Sequence, residues 1–217
     1  MNKKTYKIIN IASNLLIFLL MVVAVIVMIY VRESGALQES SWSALKYFTV
    51  LSNIFAGLTA LMSAIYLFIG RKSILLNALK FASTVSVALT FLTVILFLGP
   101  IYGYGFMYQN ANLFMHLIVP VLAIAQLLLL EERNESLNFI ANFYAVVPMI
   151  AYGIFYMTNV IYHGGYGDIN YDWYQFAAKG LGLGLVSFLV MAIVTFLISL
   201  LLYLGYKKIN LTKNISE

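Results

Sequence analysis

The chain has 217 residues, 63% of them hydrophobic and 10% charged, with a mean hydropathy of +0.93. A soluble domain of this length must cover a polar surface as well as fill a core, so the composition excludes one and points to an integral membrane protein with no room for a separate soluble domain. The net charge of +5 comes from short basic clusters between apolar runs, which argues against nucleic acid as a partner, and the absence of cysteine excludes disulfides, thiolate catalysis and thiolate-bound metals.

Lys3, Lys4 and Lys7 precede a first apolar run at about 8–31. It is longer than a signal-peptide core and no small-residue cleavage pattern follows it, so it reads as a retained helix. A polar stretch at 32–43 leads to a second helix at about 44–69. Arg71, Lys72 and Lys80 bracket a short amphipathic connection, and a third helix at about 81–98 is expected to stop at Gly99-Pro100. Residues 101–110 are rich in Gly and Tyr, carry no charge, and are too broken to span; they suit a membrane interface. A fourth helix covers about 112–130, and the acidic turn 131–135 follows. The fifth, at about 139–161, contains Pro148; a loop at 162–175 holds His163, Asp168, Asp172 and Trp173; the sixth, at about 178–206, ends in Lys207 and Lys208. There is no internal repeat. The expected fold is all-α: one six-transmembrane-helix domain over 1–217.

Six crossings return the chain to its starting side. Ten Lys and Arg fall on that side (Lys3, Lys4, Lys7, Arg71, Lys72, Lys80, Arg133, Lys207, Lys208, Lys213) and three on the other (Arg32, Lys46, Lys179). By the positive-inside rule both termini are cytoplasmic. Helices two and four then both enter from outside, which brings Thr49 and His116 to similar depth in the outer leaflet.

Those two residues head two polar stripes. Thr49, Ser52 and Asn53 share a helical face by i, i+3, i+4 spacing, and Asn112 and His116 share one by i, i+4. Ser, Thr and Asn often only join helices to one another in membranes. His116 adds an intramembrane group that can titrate near neutral pH, which marks a functional candidate. Thr49 as nucleophile and His116 as base are the minimum parts for acyl transfer, with Asn53 or Asn112 to orient the imidazole or donate to an oxyanion. Pro120 has no N–H for the His116 carbonyl four residues back, so that carbonyl is expected to be freed. Tyr152, Tyr156 and Asn159 form a stripe on the outer half of helix five that faces either the same cavity or the interface. His163 reads as a solvated loop residue. Two histidines without an acidic cluster at ligand spacing do not make a metal site, and the chemistry needs no cofactor. The cavity is expected between helices two, four and five, walled by Phe48, Leu51, Phe55, Phe114, Leu117, Ile118 and Phe155, a lipid-accessible slot for an acyl ester.

Six helices, Tyr47-Phe48-Thr49-Val50-Leu51-Ser52-Asn53 on the second, and Asn112-Leu113-Phe114-Met115-His116-Leu117-Ile118-Val119-Pro120 on the fourth resemble the androgen-induced protein family and its bacterial relatives. The eukaryotic members are membrane threonine hydrolases of fatty acid esters of hydroxy fatty acids. The resemblance implies Thr49 as the nucleophile, His116 as the second catalytic residue, a lipid ester as substrate and, through the bacterial relatives, a bacterial plasma membrane. The likeness in topology covers most of the chain; the specific motifs cover about twenty residues. The chain departs from the family in its last outer loop, where Tyr171-Asp172-Trp173-Tyr174-Gln175-Phe176 stands in place of a proline-containing aromatic motif.

Two other classes compete. One is a substrate-binding membrane subunit of a vitamin-type importer, which shares the size and topology; against it, helix one has alanines only at Ala12 and Ala24 and so lacks an Ala-x-x-x-Ala docking face. The other is a structural membrane protein without chemistry. Nothing in the sequence sets the oligomeric state.

Overall fold

A computed structural model of the chain describes residues 2–30, 41–131 and 137–215. Among these residues every regular element is helical. Six helices are long and apolar enough to cross a membrane: α1 (Lys3–Tyr30), α2 (Phe48–Phe68), α3 (Ile74–Tyr102), α4 (Ala111–Leu130), α5 (Ala141–His163) and α6 (Leu181–Ile215, with Leu181–Ile209 as its apolar span). Most of the stretch at 32–43 and the part of the acidic turn beyond Glu131 lie outside the described residues. With the chain ends drawn at the bottom, α2, α4 and α6 start at the top.

Several boundaries differ from the sequence reading: α1 starts at Lys3 and α6 runs on to Ile215, and three others reshape the interior. The start of α2 is later because Ser41–Lys46 forms a 3-10 turn and Tyr47 is extended (φ −79°, ψ 136°). The start of α3 is earlier: Ser73 caps it by accepting from the Leu76 amide at 3.2 Å, so the 70–80 connection is mostly helix and Lys80 lies inside a span, buried. Gly99-Pro100 does not end α3 either. The helix widens to a π turn at Val94–Leu98 and then carries Pro100 into a last α turn.

The same device recurs in α4, where Phe114–Ile118 is a π turn ahead of Pro120. In both places the residue just before the proline donates five residues back, Gly99 to Val94 and Val119 to Phe114. Continuing that register, Pro100 and Pro120 would have served the carbonyls of Ile95 and Met115, and neither proline has an N–H. Side chains supply the missing donors: Tyr104 Oη donates to Ile95 O at 2.8 Å and Asn53 Nδ2 to Met115 O at 2.9 Å. The carbonyl that Pro120 orphans is therefore that of Met115, one residue before the His116 carbonyl an unbroken α-helix would have freed.

The centre of the bundle is α3. Every residue from Lys80 to Thr90 is buried, and small side chains there (Ala82, Ser83, Thr84, Ser86, Ala88) let α2, α4, α5 and α6 close in around it. The first helix lies across α2 and α4; at Gly57 a Cβ would sit 2.5 Å from Met21 Cε, so that approach requires glycine. Both α2 and α5 pack on α3 yet stand apart from one another along most of their length. At the bottom a buried polar cluster joins α1, α3 and α4. Gln126 Nε2 donates to Asn10 Oδ1 at 2.8 Å and to Glu131 Oε2 at 3.3 Å, while Lys80 Nζ meets Glu131 Oε2 at 2.5 Å.

Candidate functional site

Thr49 is the second residue of α2 and is half-buried. Its position explains its availability. The hydroxyls of Ser52, Thr59, Ser63, Ser83, Thr84, Ser86 and Thr90 each donate to a carbonyl three or four residues back in the same helix. Thr49 has no such carbonyl behind it in α2, and its Oγ has no partner among the described residues. Its backbone N–H is likewise unmatched there: the Phe48 amide is taken by Tyr174 Oη at 3.0 Å, and those of Val50 and Leu51 by Tyr47 O. One orphan amide and one unengaged hydroxyl thus share the positive end of a 21-residue helix.

Asn53 and Ser52 fix this turn. Asn53 Nδ2 donates to Thr49 O at 2.8 Å as well as to Met115 O at 2.9 Å, and Ser52 Oγ donates to Thr49 O at 3.0 Å. Both amide hydrogens of Asn53 are spent on these carbonyls, so Asn53 has none for an oxyanion. Its remaining group is Oδ1, which is buried without a partner and acts only as an acceptor. The Thr49 turn and the His116 turn are therefore joined by one side chain, and α2 packs directly on Phe114–Ile118.

His116 is buried in that π turn. Its Nδ1 lies 3.4 Å from Met107 O, in the short helical turn Tyr104–Met107 that packs on the end of α3. A carbonyl only accepts, so this contact places the hydrogen on Nδ1 and leaves the Nε2 lone pair free. Asn112, one turn earlier on α4, is fully buried.

The opening beside this region is not the one expected. A cleft of about 280 Å³ lies between α2 (Phe48, Leu51, Ser52, Phe55) and α5 (Pro148, Ala151, Tyr152, Phe155), with Ser86 of α3 contributing to its lining. It exists because α2 and α5 each pack on α3 and leave a gap. Phe48, Leu51, Phe55 and Phe155 line it as anticipated. Phe114, Leu117 and Ile118 do not, because their segment packs against α1, α2 and α3 on the other flank of α2. Ser52 and Tyr152 reach the cleft; Thr49, Asn53, Asn112 and His116 are not among its lining residues.

The top is closed by the segment between α5 and α6, which takes up the Tyr152, Tyr156 and Asn159 stripe. Tyr152 Oη donates to Lys46 O at 2.7 Å and accepts from Trp173 Nε1 at 3.0 Å. Asn159 Nδ2 donates to Tyr171 O at 3.0 Å. Tyr156 Oη donates to the fully buried Asp172 carboxylate, which also accepts from the amides of Gly167 at 3.0 Å and Ala177 at 3.1 Å. Tyr174 accepts the Phe48 amide, and burial pushes its phenol up to about 12, so it stays neutral there. His163 is exposed and stacks on Tyr171 at 4.1 Å, away from the site. Within this closing segment Tyr174 caps α2 above Thr49, while Asp172 and Trp173 bond to Tyr156 and Tyr152 of α5; no local spacing assigns these partners, and the one signal in the sequence is an acid set among aromatic residues.

Among the described residues no group of three or more His, Asp or Glu could hold a metal ion. The class of protein is a multi-pass α-helical membrane protein with a polar pair of turns beside an apolar cleft. No protein-family model, curated protein or solved structure matches the chain. Nothing in these comparisons links the chain to the androgen-induced protein family.

Proposed function

We propose that this chain is an intramembrane ester hydrolase acting on lipid-like acyl esters, with Thr49 as nucleophile and His116 as base, in a bacterial plasma membrane with both termini cytoplasmic. The observation that carries the reading is the Thr49 hydroxyl, left without the back-bond its neighbours make, beside an uncommitted amide at a helix start. The Asn53 link to the His116 turn and the apolar cleft along Phe48 and Ser52 support it. The distribution of Lys and Arg, nine to three once the buried Lys80 is set aside, supports the orientation.

The chemistry follows from those groups. Thr49 Oγ bonds to the ester carbonyl carbon as its proton passes to His116 Nε2. The carbonyl electron pair moves onto oxygen, where the Thr49 amide donates at the positive end of α2. Collapse breaks the ester C–O bond, and His116 returns the proton to the leaving alcohol oxygen. A water then gives a proton to His116 as it attacks the acyl-enzyme, releasing the acid and restoring Thr49. Asn53 Oδ1 offers an acceptor to the imidazolium or to the water. No cofactor takes part.

The test is hydrolysis of acyl esters of graded chain length by the purified protein. The reading expects kcat/KM to rise with chain length and to fall roughly 10²–10⁴-fold in Thr49→Ala and in His116→Ala, with melting temperatures close to wild type. Activity that survives Thr49→Ala contradicts it.

A further inference from the structure

Two concave surfaces meet at the bottom turn between α2 and α3. One is an apolar groove of about 310 Å³ on the face of this helix hairpin, lined by Leu58, Met62 and Leu79. The other is a pocket of about 80 Å³ lined by Arg71, Lys72 and Asn77. Tyr66, Ser73 and Leu76 line both, so the first runs into the second. Along α2 the groove follows one helical stripe from Phe55 to Tyr66, roughly 16 Å at the α-helical rise. Its polar end is cationic. The Arg71 side chain is exposed with no hydrogen bond or ion pair among the described residues, and the first amides of α3 add their partial positive charge. The one carboxylate on the pocket wall, Glu131, is already matched by Lys80 at 2.5 Å.

A cationic end continuous with an aliphatic trough, set where a spanning helix leaves the hydrocarbon, fits an amphiphile with an anionic head and long chains. We infer that the α2–α3 hairpin holds one anionic phospholipid of the adjoining leaflet. Its phosphate lies against Arg71 and Lys72 and an acyl chain along Leu58, Met62 and Leu79. Neither Thr49 nor His116 takes part, so this site stands or falls apart from the ester chemistry.

Native mass spectrometry of the full chain in neutral detergent tests it, with phosphatidylglycerol and phosphatidylcholine of matched chains competing at equal concentration. Retention of phosphatidylglycerol should exceed that of phosphatidylcholine by roughly ten- to thirtyfold, from two cations at the headgroup. Arg71→Gln with Lys72→Gln should bring the ratio near one, while Lys3→Gln with Lys4→Gln, an equal loss of charge elsewhere, should leave it unchanged. Because the readout is a ratio within each variant, a change in stability cancels. Glycerol phosphate alone should not displace the lipid. A wild-type ratio near one, a ratio unmoved by the Arg71/Lys72 pair, an equal fall in the Lys3/Lys4 control, or displacement by glycerol phosphate would each overturn the lipid site.

Discussion

The side-chain amide of Asn53 donates to the backbone carbonyl of Met115 at 2.9 Å, across 62 positions of sequence. That carbonyl lacks its helical donor because Pro120 stands five residues on, in the π register of Phe114–Ile118. One buried bond therefore does two jobs: it satisfies a polar group that would be costly in hydrocarbon, and it holds the turn bearing Thr49 against the turn bearing His116.

The pairing predicts a coupling. Asn53→Leu leaves Met115 O unmatched and should cost about 1–3 kcal/mol. In a Pro120→Ala background the new N–H can serve that carbonyl, so the same substitution should cost about 1 kcal/mol less. Reversible unfolding of the four proteins in mixed micelles measures this. Strict additivity would show that the carbonyl freed by the proline is not what Asn53 serves.

The Lys80–Glu131 pair predicts a second asymmetry. Lys80→Met leaves a carboxylate among Gln126 and Asn10 without its cation and should destabilise by about 3 kcal/mol. Adding Glu131→Gln should recover most of that loss, since a neutral side chain needs no cation. Unfolding midpoints decide it; a double variant as unstable as Lys80→Met would argue that the ammonium matters for contacts other than Glu131.

These two pairings also mark how far the sequence could be read. The six apolar runs and their order were legible because bilayer thickness imposes a length on each span. In the sequence Lys80 reads as part of a connection because a cation ordinarily ends an apolar run; only the distant Glu131 makes its burial tolerable. The sequence points to His116 for the orphan carbonyl because the α register is its default, and a π turn leaves no periodic trace. Tyr152, Tyr156 and Asn159 share one stripe of α5, but Tyr156 and Asn159 are tied to the closing segment rather than to the cleft, a partnership no local spacing encodes. Ser52 and Tyr152 on the cleft wall, with Thr49 on the adjoining flank, is a division visible only once α2 and α5 are seen to stand apart.

The buried Asp172 predicts a local effect. Asp172→Leu removes the acceptor of Tyr156 Oη and of the Gly167 and Ala177 amides. Amide exchange should rise at least tenfold in the 164–180 segment while α3 stays protected. Unchanged exchange there would mean that the aromatic stacking alone holds the segment down.

The cleft predicts chain-length control. Each methylene seated between α2 and α5 contributes about 0.8 kcal/mol, or roughly a fourfold gain in kcat/KM per carbon until the slot is full. Ala151→Phe narrows the slot and should flatten that slope while leaving the shortest esters little affected. A slope that persists in the variant would put the acyl chain elsewhere.

Thr49 as the nucleophile is the centre of the account, and an activity-based fluorophosphonate probe interrogates it most directly. After labelling of the purified protein and digestion, mass spectrometry should find one adduct, on the peptide carrying Thr49 and on Thr49 Oγ, absent in Thr49→Ala and much reduced in His116→Ala. An adduct on Ser52, which faces the cleft, or labelling that persists in Thr49→Ala, would contradict the assignment.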